Sequence, residues 1–466
     1  MPKRLISGLA LIAALGIFAV GAVVVSSPVP AGTWLSNPVA SFKIAEGANP
    51  SPVKLIRAVP QPLSAMAQLG KLVFYDTSFS SSGKLACASC HEPNHFYGPS
   101  SDLPAVMGGP DLNRQGVRAV PTLTYLELQP NFSIGPDPAG DNDTTTPLPQ
   151  LAAQAGTAVR VTKTAQSTAQ SAANIVPQGG MFWDGRADTL QIQALGPLLN
   201  PLEVDGGSAQ RVAAKLRAAP YASRFVELFG PSVLDDPKML LSEALFAVAR
   251  YQVEETSFHP FSSKYDAWLE GKARLSRAEM RGYILYNDPA KGDCAACHLD
   301  QPSSDGQPPL FTDHQFEALG LPRNPHLVAN RDPAYYDEGI CGPYRKDLAT
   351  QTQFCGMFLT PTLRNTATRK VFFHNGVYHN LQQVLDFYNF RDTDPGKIYP
   401  HAADGRVEKF DDLPKKYWAN VDSSDPPLDR HLGEKPALTD QDEKDIIAFL
   451  GTLTDGYEKT AATPQP

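Results

Sequence analysis

The pattern C-x-x-C-H occurs twice, at Cys87-Ala88-Ser89-Cys90-His91 and at Cys294-Ala295-Ala296-Cys297-His298. Two thiols about one helical turn apart can both add to the vinyl groups of a haem, and a histidine directly after them reaches the iron as its proximal ligand. A structural zinc site would need four ligands per metal, and neither motif has a second C-x-x-C nearby. The spacing therefore predicts two covalently attached c-type haems. One is held by Cys87, Cys90 and His91, the other by Cys294, Cys297 and His298.

What each haem does depends on the far side of its iron. No histidine lies between His95 and His259, and His95 follows His91 by only four residues. The first haem is left with Met107, Met181 or no distal ligand. An open ferric haem with histidine on one side activates peroxide or oxygen. For the second haem Met357, Tyr388, His314, His326, His374 and His379 are all candidates.

The elements that position these residues repeat. Gly70–Tyr75 and Gly282–Tyr286 each read as the end of a helix leading into a haem motif, the second opened by the capping box Ser276-x-x-Glu279. Pro121-Thr122-Leu123 follows the first motif and Pro361-Thr362-Leu363 the second. Phe182-Trp183-Asp184-Gly185 then matches Phe373-His374-Asn375-Gly376, with a leucine seven residues after Trp183 and after His374 alike. That register sets Pro197 opposite Tyr388, and proline cannot ligate iron. The fold expected is mostly α, two cytochrome-c-like haem domains from an internal duplication, joined near 258–266 and carrying long loops. Amphipathic helices are expected over Leu241–Tyr251, Leu381–Tyr388 and Thr439–Leu453.

Domains are expected at 61–260 and 261–455, preceded by an extended segment over 31–60 and followed by a flexible tail over 456–466. Residues 133–172, rich in Gly, Pro, Asp, Thr, Ala and Gln, read as a loop inserted in the first domain. At the start, Lys3 and Arg4 precede an uncharged apolar run over 5–25. Residues 1–30 are a signal peptide or a membrane anchor, and either one puts the haem domains in the periplasm. Two cysteines, Cys341 and Cys355, remain outside the haem motifs. In an oxidising compartment they are expected to close their 13-residue loop as a disulfide, worth about 2–4 kcal/mol. The net charge of −8 speaks against nucleic acid as a partner.

The arrangement over 61–455 resembles the bacterial di-haem cytochrome c peroxidase and MauG superfamily. The resemblance rests on L-A-C-A-S-C-H-E-P (85–93), V-P-T-L (120–123), F-W-D-G-R-A (182–187), Q-A-L-G-P-L-L-N-P-L-E (193–203), C-A-A-C-H (294–298), T-P-T-L-R-N (360–365) and F-F-H-N-G (372–376). It implies a peroxidatic first haem that takes hydrogen peroxide, with Glu203 over the active iron as acid and base. Trp183 would lie between the haems, and Gln193 would orient Glu203. It also implies Tyr388 as axial ligand of the second haem, as in the MauG-like branch, where ordinary peroxidases place a methionine. The family's R-N-x-P-T, whose Asn helps to bind calcium, reads Arg118-Ala119-Val120-Pro121-Thr122 here, so the resemblance implies calcium only weakly. The function implied is oxidation of a protein partner. The alternatives are peroxide reduction with electrons from a small cytochrome c or cupredoxin, and non-catalytic electron transfer.

Overall fold

The computed structural model describes residues 38–136 and 175–458. The candidate export segment, most of the inserted loop and all but the start of the tail lie outside the described residues.

Each half is built on a helix that leads into the haem motif, a helix after the F-x-x-G turn and a closing helix. In order, α1 is Pro38–Ala45, α2 is Ala65–Phe74, α3 is Cys87–Cys90, α4 is Leu190–Leu199, α5 is Ala209–Ala218 and α6 is Ala222–Phe229. Then α7 is Pro237–Glu254, α8 is Lys264–Leu269, α9 is Arg277–Tyr286, α10 is Leu381–Phe390 and α11 is Asp440–Gly451. Side-chain caps start them where the sequence offers an oxygen: Ser64 for α2, Thr189 for α4, Asn380 for α10. Reciprocal boxes, Ser276 with Glu279 and Thr439 with Asp442, start α9 and α11.

The duplication extends to single atoms. Helix α2 packs on α7 and α9 on α11. At each crossing a glycine lets the backbones touch. A Cβ on Gly70 would lie 1.8 Å from the Ala247 carbonyl oxygen, and one on Gly282 would lie 1.9 Å from that of Asp445. Phe182 and Phe373 both take the left-handed conformation, at φ 68° and 63°, as do Tyr125 and Asn365 four residues after Pro121 and Pro361.

The two apolar cores are separate. The first includes Phe74, Tyr97, Tyr251 and Phe258, with Tyr97 stacked on Phe258 at 3.6 Å between ring centroids. The second gathers Tyr265, Trp268, Tyr283, Tyr286 and Phe449, with Tyr265 stacked on Trp268 at 5.4 Å and the other contacts edge-on or tilted. The change-over falls between Phe258 and Tyr265.

Two expectations need correction. The segment before the first domain is not extended throughout, because α1 occupies 38–45. It also packs on the second domain: Ala40, Ile44 and Leu55 join the Trp268 core. Trp268 Nε1 donates to the Gly47 carbonyl at 3.1 Å, Asn49 Nδ2 to that of Leu269 at 3.0 Å, and Arg57 forms a two-pronged pair with Glu270. Prolines at 38, 50, 52 and 60 break the apolar residues of 31–60 into runs too short to show a period, so this docking could not be read from periodicity. The inserted loop likewise begins as structure. Ser133–Pro136 pairs antiparallel with Ile175–Gln178, and Ile134 packs against the core that holds Phe316. Such four-residue strands are too short to show alternation. Two shorter ribbons, Met107–Gly108 with Arg114–Gln115 and Phe316–Glu317 with Phe358–Leu359, complete the strands among the described residues.

Candidate haem sites and the wall between them

A cavity opens beside each C-x-x-C-H motif. The first, about 130 Å³, is lined by Cys87, Cys90 and His91 and by Pro197 of α4. The second, about 310 Å³, is lined by Cys294, Cys297 and His298 and by Tyr388 of α10. Folded interiors leave few voids larger than a water molecule, so apolar hollows of this size are built for an occupant.

The repeated P-T-L segments aim the histidines. Thr122 Oγ1 donates to the Phe96 carbonyl and Thr362 Oγ1 to that of Leu310, both at 2.6 Å. This pins the loop whose next carbonyl, at Tyr97 or Phe311, lies 3.0 Å from His91 Nδ1 and 2.9 Å from His298 Nδ1. A carbonyl at Nδ1 fixes the tautomer that keeps the proton there and leaves the Nε2 lone pair to a metal. Burial pulls both imidazoles down to about 4 against those carbonyls, so they stay neutral as a ligand must. Burial also pushes the Cys87 thiol up to about 11, and Cys90 and Cys294 to about 12. Thiols in an apolar wall suit thioether attachment rather than a thiolate-held ion. His95 lines the second cavity, not the first, so it does not complete a four-ligand set with Cys87, Cys90 and His91. The residues present fit a c-type haem at each motif.

Of the second-haem candidates, Tyr388, His314 and His374 line the cavity. His314 Nδ1 is held at 2.8 Å by Gln129 Oε1. His374 stacks on Phe358 at 3.5 Å, with Nε2 3.4 Å from Asp412. Tyr388 lies beside Phe373 and Phe387, and burial pushes its phenol up. Met357 is enclosed in a separate core around Ile340 and Phe354, and it lines neither cavity; nor do His326 and His379.

Pro197, the register counterpart of Tyr388, lines the first cavity as Tyr388 lines the second. Met181 is buried against Ala187 and Leu190 and borders the second cavity alone, whereas Met107 lines the first. Glu203 lines the first cavity, and its Oε1 accepts from Asn200 Nδ2 at 2.6 Å. Burial raises its pKa, opposed by the Arg186 charge and the Asn200 bond. Gln193 is buried and borders both cavities, but the group bonded to Glu203 is Asn200. Gln193 sits in α4, whereas Asn200 caps its end and is only three residues from Glu203. The N-P-L-E spacing carried that signal.

Trp183 borders both cavities, its Nε1 donating to the Ala119 carbonyl at 2.8 Å while its own carbonyl accepts from the Leu359 N–H at 2.9 Å. Around it runs an ion network that sequence reading missed. Arg118 bridges Asp184 and Asp337, each at 2.7 Å, and Arg186 pairs with Asp184 at 2.9 Å. Ala119 brings no side-chain oxygen to this wall. Among the described residues no three His, Cys, Asp or Glu side chains gather as a metal site. Cys341 and Cys355 are joined, with an S–S distance of 2.08 Å.

Residues 64–274 match the family described as di-haem cytochrome c peroxidase. The chain is 30% identical to the methylamine utilization protein MauG of Paracoccus denitrificans, across 84% of this chain and 89% of the relative. It is 28% identical to the cytochrome c551 peroxidase of Nitrosomonas europaea, across 72% and 76%. The crystal structure of the diheme peroxidase BthA from Burkholderia thailandensis is similar at a TM-score of 0.71 and 35% identity, covering 87% of this chain and 90% of that one.

Proposed function

The chain belongs to the di-haem cytochrome c peroxidase and MauG family, and on that premise we propose that it activates hydrogen peroxide at the first site and oxidises a protein partner with the equivalents obtained. Cys87 and Cys90 would hold one haem and Cys294 and Cys297 the other, with His91 offering a ligand to the first iron and His298 and Tyr388 offering ligands to the second. When bound, the first haem supplies an open iron for peroxide and the second a store for an oxidising equivalent.

The chain's own residues handle the protons and the wiring. Glu203 accepts the proton of one peroxide oxygen and returns it to the other, so that the leaving oxygen departs as water. Asn200 holds the carboxyl for that transfer. Trp183 bridges the two cavities and carries the electron between them. Over a full cycle the peroxide takes two electrons and two protons and becomes two waters, while the partner loses the electrons.

The observation that carries this reading is an asymmetry at one register position. The first cavity has Pro197 and the carboxyl of Glu203, and the second has a phenol. The likeness to the cytochrome c551 peroxidase supports a second reading, peroxide reduction with electrons from a small cytochrome c or cupredoxin. Either activity belongs outside the cytoplasm, where c-type haem and the Cys341–Cys355 bond are made. Among the described residues no helix is long and apolar enough to cross a membrane.

Glu203→Gln tests the centre of the reading. It keeps shape and hydrogen bonding but cannot shuttle a proton, so the reaction with peroxide in stopped flow should slow by about 10²–10⁴-fold with both haems retained. A native rate would move the proton transfer to solvent.

A further inference from the structure

The first cavity is completed by a residue from the other half of the molecule. Tyr344 lies on the loop closed by Cys341–Cys355, yet it lines the first cavity together with Glu203 and Arg186. Its ring rests near two guanidiniums, 4.8 Å from Arg186 and 5.4 Å from Arg118. Its hydroxyl oxygen is 3.3 Å from Asn200 Nδ2, the same amide nitrogen that donates to Glu203 Oε1 at 2.6 Å. An amide nitrogen has two hydrogens. One goes to the carboxyl and the other to the phenol, so Tyr344 fixes the rotation of the group that holds Glu203.

The loop is fastened so that this contact is not incidental. Arg345, only 8% exposed, donates through Nη1 to the Asp184 carbonyl at 3.1 Å and the Gly185 carbonyl at 3.0 Å. Its guanidinium also lies 3.7 Å from the Phe132 ring centroid. The residue next to Tyr344 is thus clamped onto the turn that carries Trp183, while the disulfide ties the loop's ends into the second half. Burial pushes the Tyr344 phenol up, so at neutral pH it is an intact hydroxyl.

We propose that Tyr344 is a positioning residue of the first haem site, delivered by the disulfide-closed loop of the second half, and that through Asn200 it holds the Glu203 carboxyl in its working orientation. The proposal rests on Glu203 being the proton-transfer group. The charged and titratable groups facing Glu203 are Arg186 from the turn after Trp183, Cys90 from α3 and Tyr344 from the loop. With Cys90 bound to haem and Arg186 always charged, the phenol is the one that a conservative substitution removes cleanly.

Tyr344→Phe keeps the ring between Arg118 and Arg186 and deletes only the oxygen. In the haem-loaded full chain, the infrared band of the protonated Glu203 carboxyl is identified by its loss in Glu203→Gln. In Tyr344→Phe that band should persist to higher pH, by roughly half to one pH unit, because a freed Asn200 stabilises the carboxylate less well. The acid limb of the peroxide reaction should move with it. Asn200→Ala should move both at least as far, and adding Tyr344→Phe to Asn200→Ala should change nothing further. A band and limb at the native pH in Tyr344→Phe would overturn the proposal. So would shifts that simply add in the double variant, since Tyr344 would then act without Asn200. A native peroxide rate in Glu203→Gln would overturn the catalytic reading of Glu203, while the infrared band would still report whether Tyr344 governs that carboxyl.

Discussion

Tyr388 occupies a position that Pro197 fills in the other half, and one substitution tests what it does. Tyr388→His should retain both haems, because attachment is by other residues. It should change the low-spin EPR signal and the potential of the second haem, since imidazole stabilises oxidised iron less than a phenolate. An unchanged signal would pass the ligand role to His314 or His374, the other two candidates on the cavity wall. Glu203 makes a second prediction at this scale. Burial raises its pKa in the folded chain. The folded state therefore holds that proton more tightly than the unfolded state, and stability falls as pH rises through the folded value. Above it the buried carboxylate is a standing cost, so Glu203→Gln should raise the melting temperature at neutral pH while it slows the enzyme. A melting temperature that falls at neutral pH would show that the charge is stabilised by Arg186 more than burial disfavours it. Cys87 and His91 were legible because the spacing of C-x-x-C-H is set by haem attachment, whereas Trp183 and Glu203 were reached only through the resemblance that F-W-D-G-R-A and N-P-L-E carry. Tyr344 was legible by neither route. It reaches Asn200 across 144 residues of chain, and no local pattern records such a meeting.

Helices α2 and α9 each meet their partner at a glycine, and the second crossing gives a clean contrast. Gly282→Ala places a methyl group where the Asp445 carbonyl already stands, 1.9 Å away. Overpacking of this kind costs about 1–3 kcal/mol or more, and here it should also loosen the Cys294–His298 turn that follows α9. Gly451→Ala, at the end of α11 with nothing within 4 Å of the new Cβ, should be neutral or gain about 0.5–1 kcal/mol. Denaturant melts of the two haem-loaded variants measure both, and equal effects would show that the crossing relaxes. The amphipathic runs gave α7, α10 and α11 to within a few residues, because burial on one face imposes a 3.6-residue period. The first-domain helices α5 and α6 were passed over. Helix α5 has a mixed face of Val212, Ala213 and Leu216 among basic residues, and α6 is only eight residues long.

The strap of residues 38–57 precedes the first domain in sequence yet docks on the second. Ile44 is 8% exposed and belongs to the core around Trp268. Ile44→Ala should therefore cost about 2–5 kcal/mol. Hydrogen exchange should rise around α8 and α9 and stay unchanged in α2, although α2 is far nearer in sequence. Faster exchange in α2 would place the strap's contribution in the first domain. This long-range docking, with Asn49 and the Leu269 carbonyl 220 residues apart, also sets an order of events during synthesis. At about 5–20 residues per second, the strap emerges roughly 10–45 s before the surface that receives it. Through that interval the nascent chain holds out a short apolar segment with no seat, and a segment made early is among the last to settle.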